Sequence, residues 1–449
     1  MDTQRKLIAK FNKPNVLGIV TSFPEKGGEI ASDNAIARYS FLLVTNFPQN
    51  QKVVIFCEKR AGYGDPYLLG KNILVVPSYK VNSFAFFIDL ISFVKKFSRV
   101  SNLLFQFEFS TFGGKIAIPG VLISVALAKI IGKRVIFMLH QVVGNLNNLD
   151  GHLGINRKSL KSKILNTLLK SFYIFLGAFC DKLLVHDAIL AQKLSQFVSP
   201  AKIDIVPHGI GGGRSFSNKF KQISRRYFGI KDNEKVACIY GYRSWYKGTD
   251  WVIRVISRII EKSKSQKIRL LVAGGESPTL KGTCAYKCFD GKLNKLIIKN
   301  KGNLVVTGFI LEKDVSKVFA ASDIVLFPYR ARMSASGTFS LALKYKKPFI
   351  VSKAFSENLE EEDIKEAIDK LGIKREDIVF NLNARSFDKA LMKILNDSTL
   401  KRKFYGLGKR VSNQRDWRII ASIYLGQFDF NTRYSIRKTI QETVLYAFK

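Results

Sequence analysis

Acidic residues are scarce in this chain, and so are the residue types that build disulfide frameworks and metal sites. The 449 residues contain 35 Asp and Glu against 73 Lys and Arg, so the formal net charge is +38. There are five cysteines and four histidines. Cys57, Cys180 and Cys238 lie in apolar runs, where we expect buried thiols. Cys284 and Cys288 lack neighbouring ligands or partners, so the set does not predict a disulfide framework.

Two phosphate-binding motifs are also missing. No acidic DxD triplet follows an apolar strand pattern, since Asp33-Asn34 and the Glu360 to Asp363 run are not at strand ends. We therefore expect no metal requirement. No G-x-G-x-x-G motif opens a helix, and the second predicted strand, KVVIFCEK, offers only Glu58 as a closing acid, which argues against a dinucleotide-dependent dehydrogenase.

Long apolar segments are absent as well. The longest apolar run, Ile116 to Ala128 (IAIPGVLISVALA), is too short to span a bilayer. The first residues, MDTQRKLIAKF, lack the apolar centre of a signal peptide. We therefore expect a cytoplasmic protein, or one that is peripheral on the inner face of the cell membrane.

The large excess of positive charge predicts an anionic partner. Residues Phe93 to Arg99 and Arg157 to Phe175 mix lysine with apolar residues at helical spacing, which favours an anionic membrane surface over nucleic acid, whose grooves require polar base-reading side chains. Ser83 to Phe97 (SFAFFIDLISFVKKF) is either an interfacial helix or a helix packed on a sheet. The alternative for the basic runs is a solvated helix face.

Short runs of Val, Ile and Leu alternate with helical stretches along the chain. Such continuous apolar runs predict parallel strands that are buried on both faces. Two successive blocks predict an α/β protein with two doubly wound, Rossmann-like domains and an active site between them. The predicted strands are VLGIV, KVVIF, NILVV, NLLFQF, RVIFML, KLLVH and KIDIV in the first block, and KVACIY, RLLVAGG, NLVVTG, DIVLF and PFIVS in the second.

The domain boundary is predicted after Pro207, where glycine and serine replace apolar residues in HGIGGGRSFSNKFKQ. A junction near Gly211 to Ser217 divides the chain into a first domain, 1–212, and a second, 213–425. The stretch from Asp416 onward has a helical pattern, and 426–449 is expected to be a C-terminal helix.

Two segments of the second block predict an anion-binding site. Ser336-Gly337-Thr338 opens a helix after the strand DIVLF, and a helix N-terminus offers free N–H groups and a favourable dipole to phosphate. The segment YGYRSWYKGTD places Arg243 and Lys247 at the end of the strand KVACIY. Two cations beside a phosphate-binding helix predict a diphosphate ligand. Arg330 and Arg332 are secondary candidates for the same phosphates.

The order of these segments resembles that of the retaining glycosyltransferases of family 4. The resemblance covers nearly the whole chain: a glycine-containing loop (GIVTSFPEKGGEIASDNAIARYSFLL), a strand ending in His140, a Pro207-His208-Gly209 turn, GYRSWYKG, LLVAGG and the SASG helix. It implies the GT-B fold, with two facing domains, C-terminal helices that return to the first domain, and a nucleotide-sugar donor. Many members carry two glutamates eight residues apart where this chain has Met333 and Leu341.

The resemblance also extends to individual site residues. It implies that His140 contacts the donor sugar, whereas a capping or core histidine is the structural alternative. Gly27 and Gly28 permit a tight loop against the donor diphosphate or the acceptor. Glu108, at the end of the fourth predicted strand, is a candidate acceptor-orienting group or base, or a loop cap. His186 has a weaker claim, and His208 is expected to be structural.

Two function classes follow from these patterns. The first is a glycosyltransferase that moves a sugar from a nucleotide-diphosphate donor to a lipid-linked, polysaccharide or protein-linked glycan at a membrane. Arg243, Lys247 and the N–H groups of Ser336, Gly337 and Thr338 would stabilise the departing diphosphate. The second class is a catalytically inert, membrane-docking subunit of the same fold, which Met333 and Leu341 suggest. Nucleic acid is not expected to be a partner.

Overall fold

A computed structural model describes most of the chain as two compact units. Unit 1 comprises residues 1–144, 166–209 and 417–449, and unit 2 comprises 145–165 and 210–416. The change of unit at Gly209 precedes the expected junction at Gly211 to Ser217, and the return to unit 1 begins at Trp417. The residues that the structure describes are 2–25, 35–60, 64–114, 116–149, 154, 156, 158–262, 267–278, 280–332 and 334–428.

Unit 1 is built on an eight-stranded sheet. Its strand order is β3-β4-β2-β1-β5-β6-β7-β8, and every pair is parallel except β3 with β4. The central strands are buried along their whole length, as the apolar runs predicted. The strands are β1 (Leu17–Val20), β2 (Val53–Glu58), β3 (Tyr67–Leu69), β4 (Ile73–Tyr79), β5 (Asn102–Phe107), β6 (Arg134–Leu139), β7 (Lys182–Val185) and β8 (Ile203–Ile205).

Unit 2 repeats the scheme with a six-stranded parallel sheet. The strand order is β11-β10-β9-β12-β13-β14. The five predicted strands are all present, and the two-residue β14 extends the sheet at an edge that the apolar pattern did not predict. The strands are β9 (Lys235–Tyr240), β10 (Ile268–Ala273), β11 (Leu304–Gly308), β12 (Ile324–Phe327), β13 (Phe349–Ser352) and β14 (Val379–Phe380).

Helices connect successive parallel strands, because a parallel pair requires a crossover. The helices that the structure describes are α1 (Asp2–Phe11), α2 (Ala35–Thr45), α3 (Phe86–Lys96), α4 (Ala117–Ile130), α5 (Leu160–Phe179), α6 (Ala188–Leu194), α7 (Asn218–Tyr227), α8 (Thr249–Lys262), α9 (Cys284–Lys299), α10 (Glu312–Ala321), α11 (Gly337–Lys344), α12 (Glu362–Lys370), α13 (Arg375–Ile378), α14 (Ala384–Asn396), α15 (Ser398–Gln414) and α16 (Trp417–Gly426).

Each sheet has one point where the strand order reverses direction. In unit 1 the strand β1 lies between β2 and β5, and in unit 2 the strand β9 lies between β10 and β12. Connections leave the two strands of such a pair in opposite directions, which opens a crevice at their carboxyl ends. Ligands of open α/β sheets bind in this crevice, so a site is expected at the β1/β5 and β9/β12 pairs.

The segment Ser83 to Phe97 forms α3, which packs against β4 and α4. Phe86, Leu90, Ile91 and Val94 are buried on its inner face. The expectation of a helix packed on the sheet is therefore confirmed for the inner face. The alternative, a helix that binds a membrane interface, would use the outer face. Among the helices of the described residues, none has the length and apolarity needed to cross a bilayer.

Helix α16 packs within unit 1 through two aromatic side chains, whereas the C-terminal helix expected at 426–449 lies, from residue 429 on, outside the described residues. The rings of Trp417 and Tyr39 are 5.0 Å apart, and the hydroxyls of Tyr424 and Tyr39 are 3.1 Å apart. A methyl group added at Gly209 would lie 2.7 Å from three atoms of the Trp417 ring. Because this ring is buried, it has no room to move aside. Glycine at position 209 therefore lets the chain pass directly beneath the helix.

We expect Gly209→Ala to lower the free energy of unfolding by about 1–3 kcal/mol, because it overpacks this contact. Gly212→Ala is the matched control, since a methyl group there would meet only one oxygen of Asp416, at 3.9 Å. Urea unfolding of both variants checks the prediction. Equal losses in the two variants would contradict it.

Candidate functional site

The crevice between β9 and β12 in unit 2 is lined by glycines that let backbone segments approach closely. Gly241 follows β9 with φ +104°, and Gly274 follows β10 with φ +150°. A methyl group at Gly274 would lie 2.1 Å from the Gly241 carbonyl oxygen, and one at Gly248 would lie 2.1 Å from the Pro328 carbonyl oxygen. Side chains are therefore excluded from these positions, and the strand ends remain accessible to a ligand.

Lys247 extends into this crevice from the short 3-10 turn Trp245–Lys247. A methyl group at Gly241 would lie 2.5 Å from Lys247 Nζ and 3.3 Å from Thr338 Oγ1. The amine therefore faces both the end of β9 and the start of α11. Burial lowers the pKa of Lys247 to about 8. In the part of the chain that the structure describes, no side chain forms an ion pair or a hydrogen bond with its amine, so a bound anion would supply the missing countercharge.

The start of α11 supplies backbone donors to the same place. Ser336 caps the helix, and its Oγ accepts a hydrogen bond from the N–H of Phe339 at 3.2 Å. The N–H groups of Gly337 and Thr338 have no acceptor among the described residues. A methyl group at Gly337 would meet no heavy atom within 4 Å, so the space beside the helix start is open. The structure thus brings Lys247, Ser336, Gly337 and Thr338 together, as the sequence predicted.

Arg243 is held differently from Lys247. Its guanidinium lies 3.3 Å from an oxygen of Asp290 and donates to Asn294 at 3.2 Å. Both partners belong to α9, and the arginine backbone pairs with Glu276 beyond β10. Arg243 is therefore an oriented, largely neutralised cation, and its role in donor binding stays a prediction. The sequence pattern did not identify Asp290 or Asn294, because their side chains come from a distant helix.

The secondary candidates Arg330 and Arg332 are engaged in ion pairs. Arg330 donates to both oxygens of Asp250, at 2.8 and 2.9 Å, and to the Trp245 carbonyl at 2.6 Å. Burial alone would raise the pKa of Asp250, but the hydrogen bonds and charge of Arg330 outweigh it and lower that pKa. Arg330 therefore holds the turn that carries Lys247.

Arg332 lies beside two carboxylates, Glu357 at 3.5 Å and Glu361 at 3.8 Å. Its side chain is buried, so these pairs compensate its charge inside unit 2. Of the two positions where many family members have glutamate, Leu341 is buried in the apolar core of unit 2. Met333 lies outside the described residues. A carboxylate at position 341 would face apolar neighbours in this chain.

In unit 1, His140 belongs to a cluster of three histidines, of which His140 and His186 are buried and His208 is half-buried. His140 Nδ1 lies 3.0 Å from His186 Nε2, and His186 Nδ1 lies 3.0 Å from the Val206 carbonyl oxygen. The rings of His186 and His208 are 5.2 Å apart, and Tyr39 packs against all three rings. The sequence predicted three separate histidines after strands, and the parallel sheet places them side by side.

The hydrogen bonds define where the protons of this cluster lie. The Val206 carbonyl accepts only, so His186 carries its proton on Nδ1 and accepts from His140 Nδ1–H through Nε2. His140 Nε2 lies 2.6 Å from the side-chain oxygen of Gln106. If His140 is neutral, its Nε2 is an acceptor, and the Gln106 amide must be turned so that its nitrogen donates to Nε2. If His140 is doubly protonated, Nε2–H donates to the Gln106 oxygen. Burial, followed by the charges of His186 and His208, keeps the pKa of His140 well below its usual value.

Glu108 lies at the carboxyl end of β5, beside the reversal point of the unit 1 sheet. It accepts from Gln141 at 2.9 Å and from Ser110 at 3.4 Å. Burial raises the pKa of Glu108, although these two hydrogen bonds oppose the rise. Two polar pairs thus link the ends of β5 and β6: Gln106 with His140, and Glu108 with Gln141. Gly27 and Gly28, predicted for the neighbouring loop, lie outside the described residues.

We expect unit 1 to lose stability as pH falls below about 6.5, because the unfolded chain binds protons at its histidines there while folded His140 does not. The slope is at most about 1.4 kcal/mol per pH unit for one such group. Urea unfolding between pH 7.5 and pH 5.5 measures it. The variant His140→Gln should show a flatter profile, and an equally steep profile in that variant would contradict the assignment.

Comparisons with known proteins agree with this geometry. Residues 234–397, which contain the β9/β12 crevice, match the family described as Glycosyl transferases group 1. A Methanocaldococcus jannaschii protein named uncharacterized glycosyltransferase MJ1607 is 24% identical over 153 residues, which are 33% of this chain and 36% of that protein. The match thus covers about a third of the relative's length.

Two solved structures show the overall fold. Sucrose-phosphate synthase from Thermosynechococcus elongatus superposes with a TM-score of 0.64 at 14% identity, over 92% of this chain and 98% of that chain. HepE of Anabaena in complex with UDP-glucose superposes with a TM-score of 0.63 at 12% identity, over 92% and 100%. The chain has the GT-B fold. The family match makes residues 234–397 similar to the group 1 glycosyltransferases.

Proposed function

We propose that this chain is a retaining glycosyltransferase and that unit 2 binds its nucleotide-diphosphate sugar donor. The observation that carries the proposal is the amine of the half-buried Lys247, which faces the start of α11 with no countercharge among the described residues. A cation that is desolvated without a partner is costly unless an anion completes the site. HepE, a structural neighbour, was solved with UDP-glucose, which is a ligand of this class.

The proposed mechanism uses the crevice to stabilise the leaving group. As the bond from sugar to diphosphate breaks, negative charge accumulates on the diphosphate. Lys247 and the N–H groups of Gly337 and Thr338 stabilise this charge, with Arg243 as an oriented neighbour. These donors are protein groups, so no metal is required in the proposal. Tyr329, whose pKa burial raises to about 12, stays protonated beside Ser336 and Thr338.

His140 and Glu108 are proposed to act from unit 1. His140 would contact a hydroxyl of the donor sugar through Nε2, in place of Gln106, as the family resemblance implies, while the hydrogen bond to His186 fixes its tautomer. Glu108 would orient the acceptor hydroxyl or take its proton, for which a raised carboxyl pKa is suitable. Retention of the anomeric configuration rests on the family resemblance.

The acceptor is proposed to be a lipid-linked, polysaccharide or protein-linked glycan at the cytoplasmic face of a membrane. The formal net charge of +38 supports an anionic surface as the place of work. A polyanionic lipid surface would concentrate this chain beside acceptors that are held there.

A second candidate is a catalytically inert subunit that docks on the membrane and supports an active partner. The apolar surroundings of Leu341 favour it, because a carboxylate there would be buried without a partner. This candidate predicts no donor binding, so donor binding separates the two functions.

The first experiment is a thermal-shift panel of UDP, GDP, ADP, dTDP and CMP sugars, in the presence of EDTA. A ligand that binds only the folded chain raises its melting temperature, so stabilisation by one nucleotide family identifies the base and supports metal-free binding. Stabilisation that appears only after a divalent metal replaces EDTA would reject the metal-free site. No stabilisation under either condition would favour the inert subunit.

We expect Lys247→Ala to weaken donor binding by roughly 10- to 100-fold, because a charge-assisted hydrogen bond contributes about 1.5–3 kcal/mol. The melting temperature should remain near that of the parent, since the amine has no ion pair or side-chain hydrogen bond to lose within the described part of the chain. Isothermal calorimetry with the stabilising nucleotide sugar measures the change. Lys353→Ala, at an exposed lysine of unit 2, is the control and should bind like the parent. Unchanged affinity in Lys247→Ala would remove the site assignment.

The affinity for a nucleoside diphosphate should fall as pH rises above about 8, because the Lys247 amine loses its proton there. The loss is at most about tenfold per pH unit, until the pKa of the complex is reached. Calorimetry between pH 7 and pH 9.5 tests this. In Lys247→Arg the guanidinium stays charged, so any remaining affinity should be independent of pH in this range. A flat profile in the parent would contradict the role of Lys247.

A further inference from the structure

Helix α4 is apolar on its outer side as well as on its inner side. Its inner face, which includes Val121 and Val125, is buried in unit 1. The outer positions are also apolar: Ile116, directly before the helix, is 64% exposed, and Ile130 at its end is 76% exposed. A surface helix of a globular protein normally presents polar residues to water. The one charged residue of α4, Lys129, is paired with Asp181 at 2.8 Å.

The neighbouring helix α3 extends the same apolar surface. A methyl group at Gly120 would lie 2.7 Å from the Phe86 ring and 2.8 Å from the Phe84 carbonyl, so α3 and its first residues lie directly against α4. Phe84 is 50% exposed and Ile88 is 60% exposed. We call the surface formed by Phe84, Ile88, Ile116 and Ile130 the apolar face.

Positive charge borders the apolar face. Between residues 80 and 134 the sequence has eight lysines and arginines and two acids. Of the eight, Lys133 is buried and Lys129 is paired with Asp181. Lys95 and Lys96 are exposed in the last turn of α3, and Lys95 lies seven residues after Ile88, on the same side of the helix. One of the two acids, Asp89, is 3.3 Å from Lys59 and is therefore compensated.

We infer that the apolar face is the surface through which unit 1 docks on a bilayer containing acidic phospholipids. The inference rests on the proposed function, whose acceptor is held at a membrane, and it specifies which part of the chain touches the lipid. The four apolar side chains enter the boundary between headgroups and acyl chains, and Lys95 and Lys96 contact the anionic headgroups. A second copy of this chain fits less well, because it would bring like charges together.

Vesicle flotation tests the inference with the full chain. The parent should float with vesicles of phosphatidylcholine and phosphatidylglycerol and should bind pure phosphatidylcholine far more weakly. Ile88→Gln/Ile116→Gln should reduce binding at least about tenfold, because apolar surface is lost from the contact. The double variant Lys95→Gln/Lys96→Gln should reduce vesicle binding about fivefold for each lysine lost. Added salt should also reduce vesicle binding of the parent, because it screens the attraction to the headgroups.

Ile298→Gln is the matched control for the apolar variant. Ile298 is 70% exposed on α9 of unit 2, so its loss removes a similar side chain from a different surface. This variant should bind vesicles like the parent. Melting temperatures of all variants should match, because every substituted side chain is exposed.

Three results would overturn the inference. The parent could fail to bind acidic vesicles, or Ile88→Gln/Ile116→Gln could bind them like the parent. In analytical ultracentrifugation, the parent could sediment as a dimer that this variant converts to a monomer, which would show that a second copy covers the face. Donor binding in solution is measured separately, so a chain that binds a nucleotide sugar but no vesicle rejects the docking surface while leaving the donor site intact.

Discussion

Burial of the parallel strands on both faces is the constraint on which the rest of this structure depends. An apolar strand such as Val53–Glu58 or Lys235–Tyr240 is removed from water only when helices cover both sides of its sheet. The crossover connections that supply these helices place all strands of a block in one direction. Their carboxyl ends therefore share one edge, and residues far apart in sequence meet there.

The β9/β12 crevice illustrates this consequence in unit 2. Lys247 follows β9 and Ser336-Gly337-Thr338 follows β12, and these strands are neighbours only because the strand order reverses between them. Glycine at position 241 removes the side chain that would separate the lysine amine from Thr338. The paired cations behave differently: Arg330 positions the turn through Asp250, and Arg243 is oriented by Asp290. Among the described residues, Lys247 is thus a cation without a charge partner beside two neutralised ones.

Unit 1 uses the same edge for a neutral network. The ends of β5, β6 and β7 carry Gln106, His140 and His186 in turn. The aromatic side chains of Tyr39 and Trp417 exclude water from this edge. Burial keeps the pKa of His140 well below its usual value, so this histidine is most stable without charge. Hydrogen bonding rather than charge thus fixes the orientation of His140, which a hydrogen bond to a sugar would require.

The sequence by itself determined the α/β class, twelve of the fourteen strands that the structure describes and the approach of Lys247 to the start of α11, because apolar runs, glycines and helix caps act locally. It could not predict the short strands β3 and β14, whose pairing is decided by neighbours in the sheet. Nor could it predict the partners of Arg243 and His140, since Asp290 and Gln106 reach them only through helix packing and strand register. The tertiary structure decided which cations are paired, because pairing depends on distances across elements that no spacing along the chain encodes.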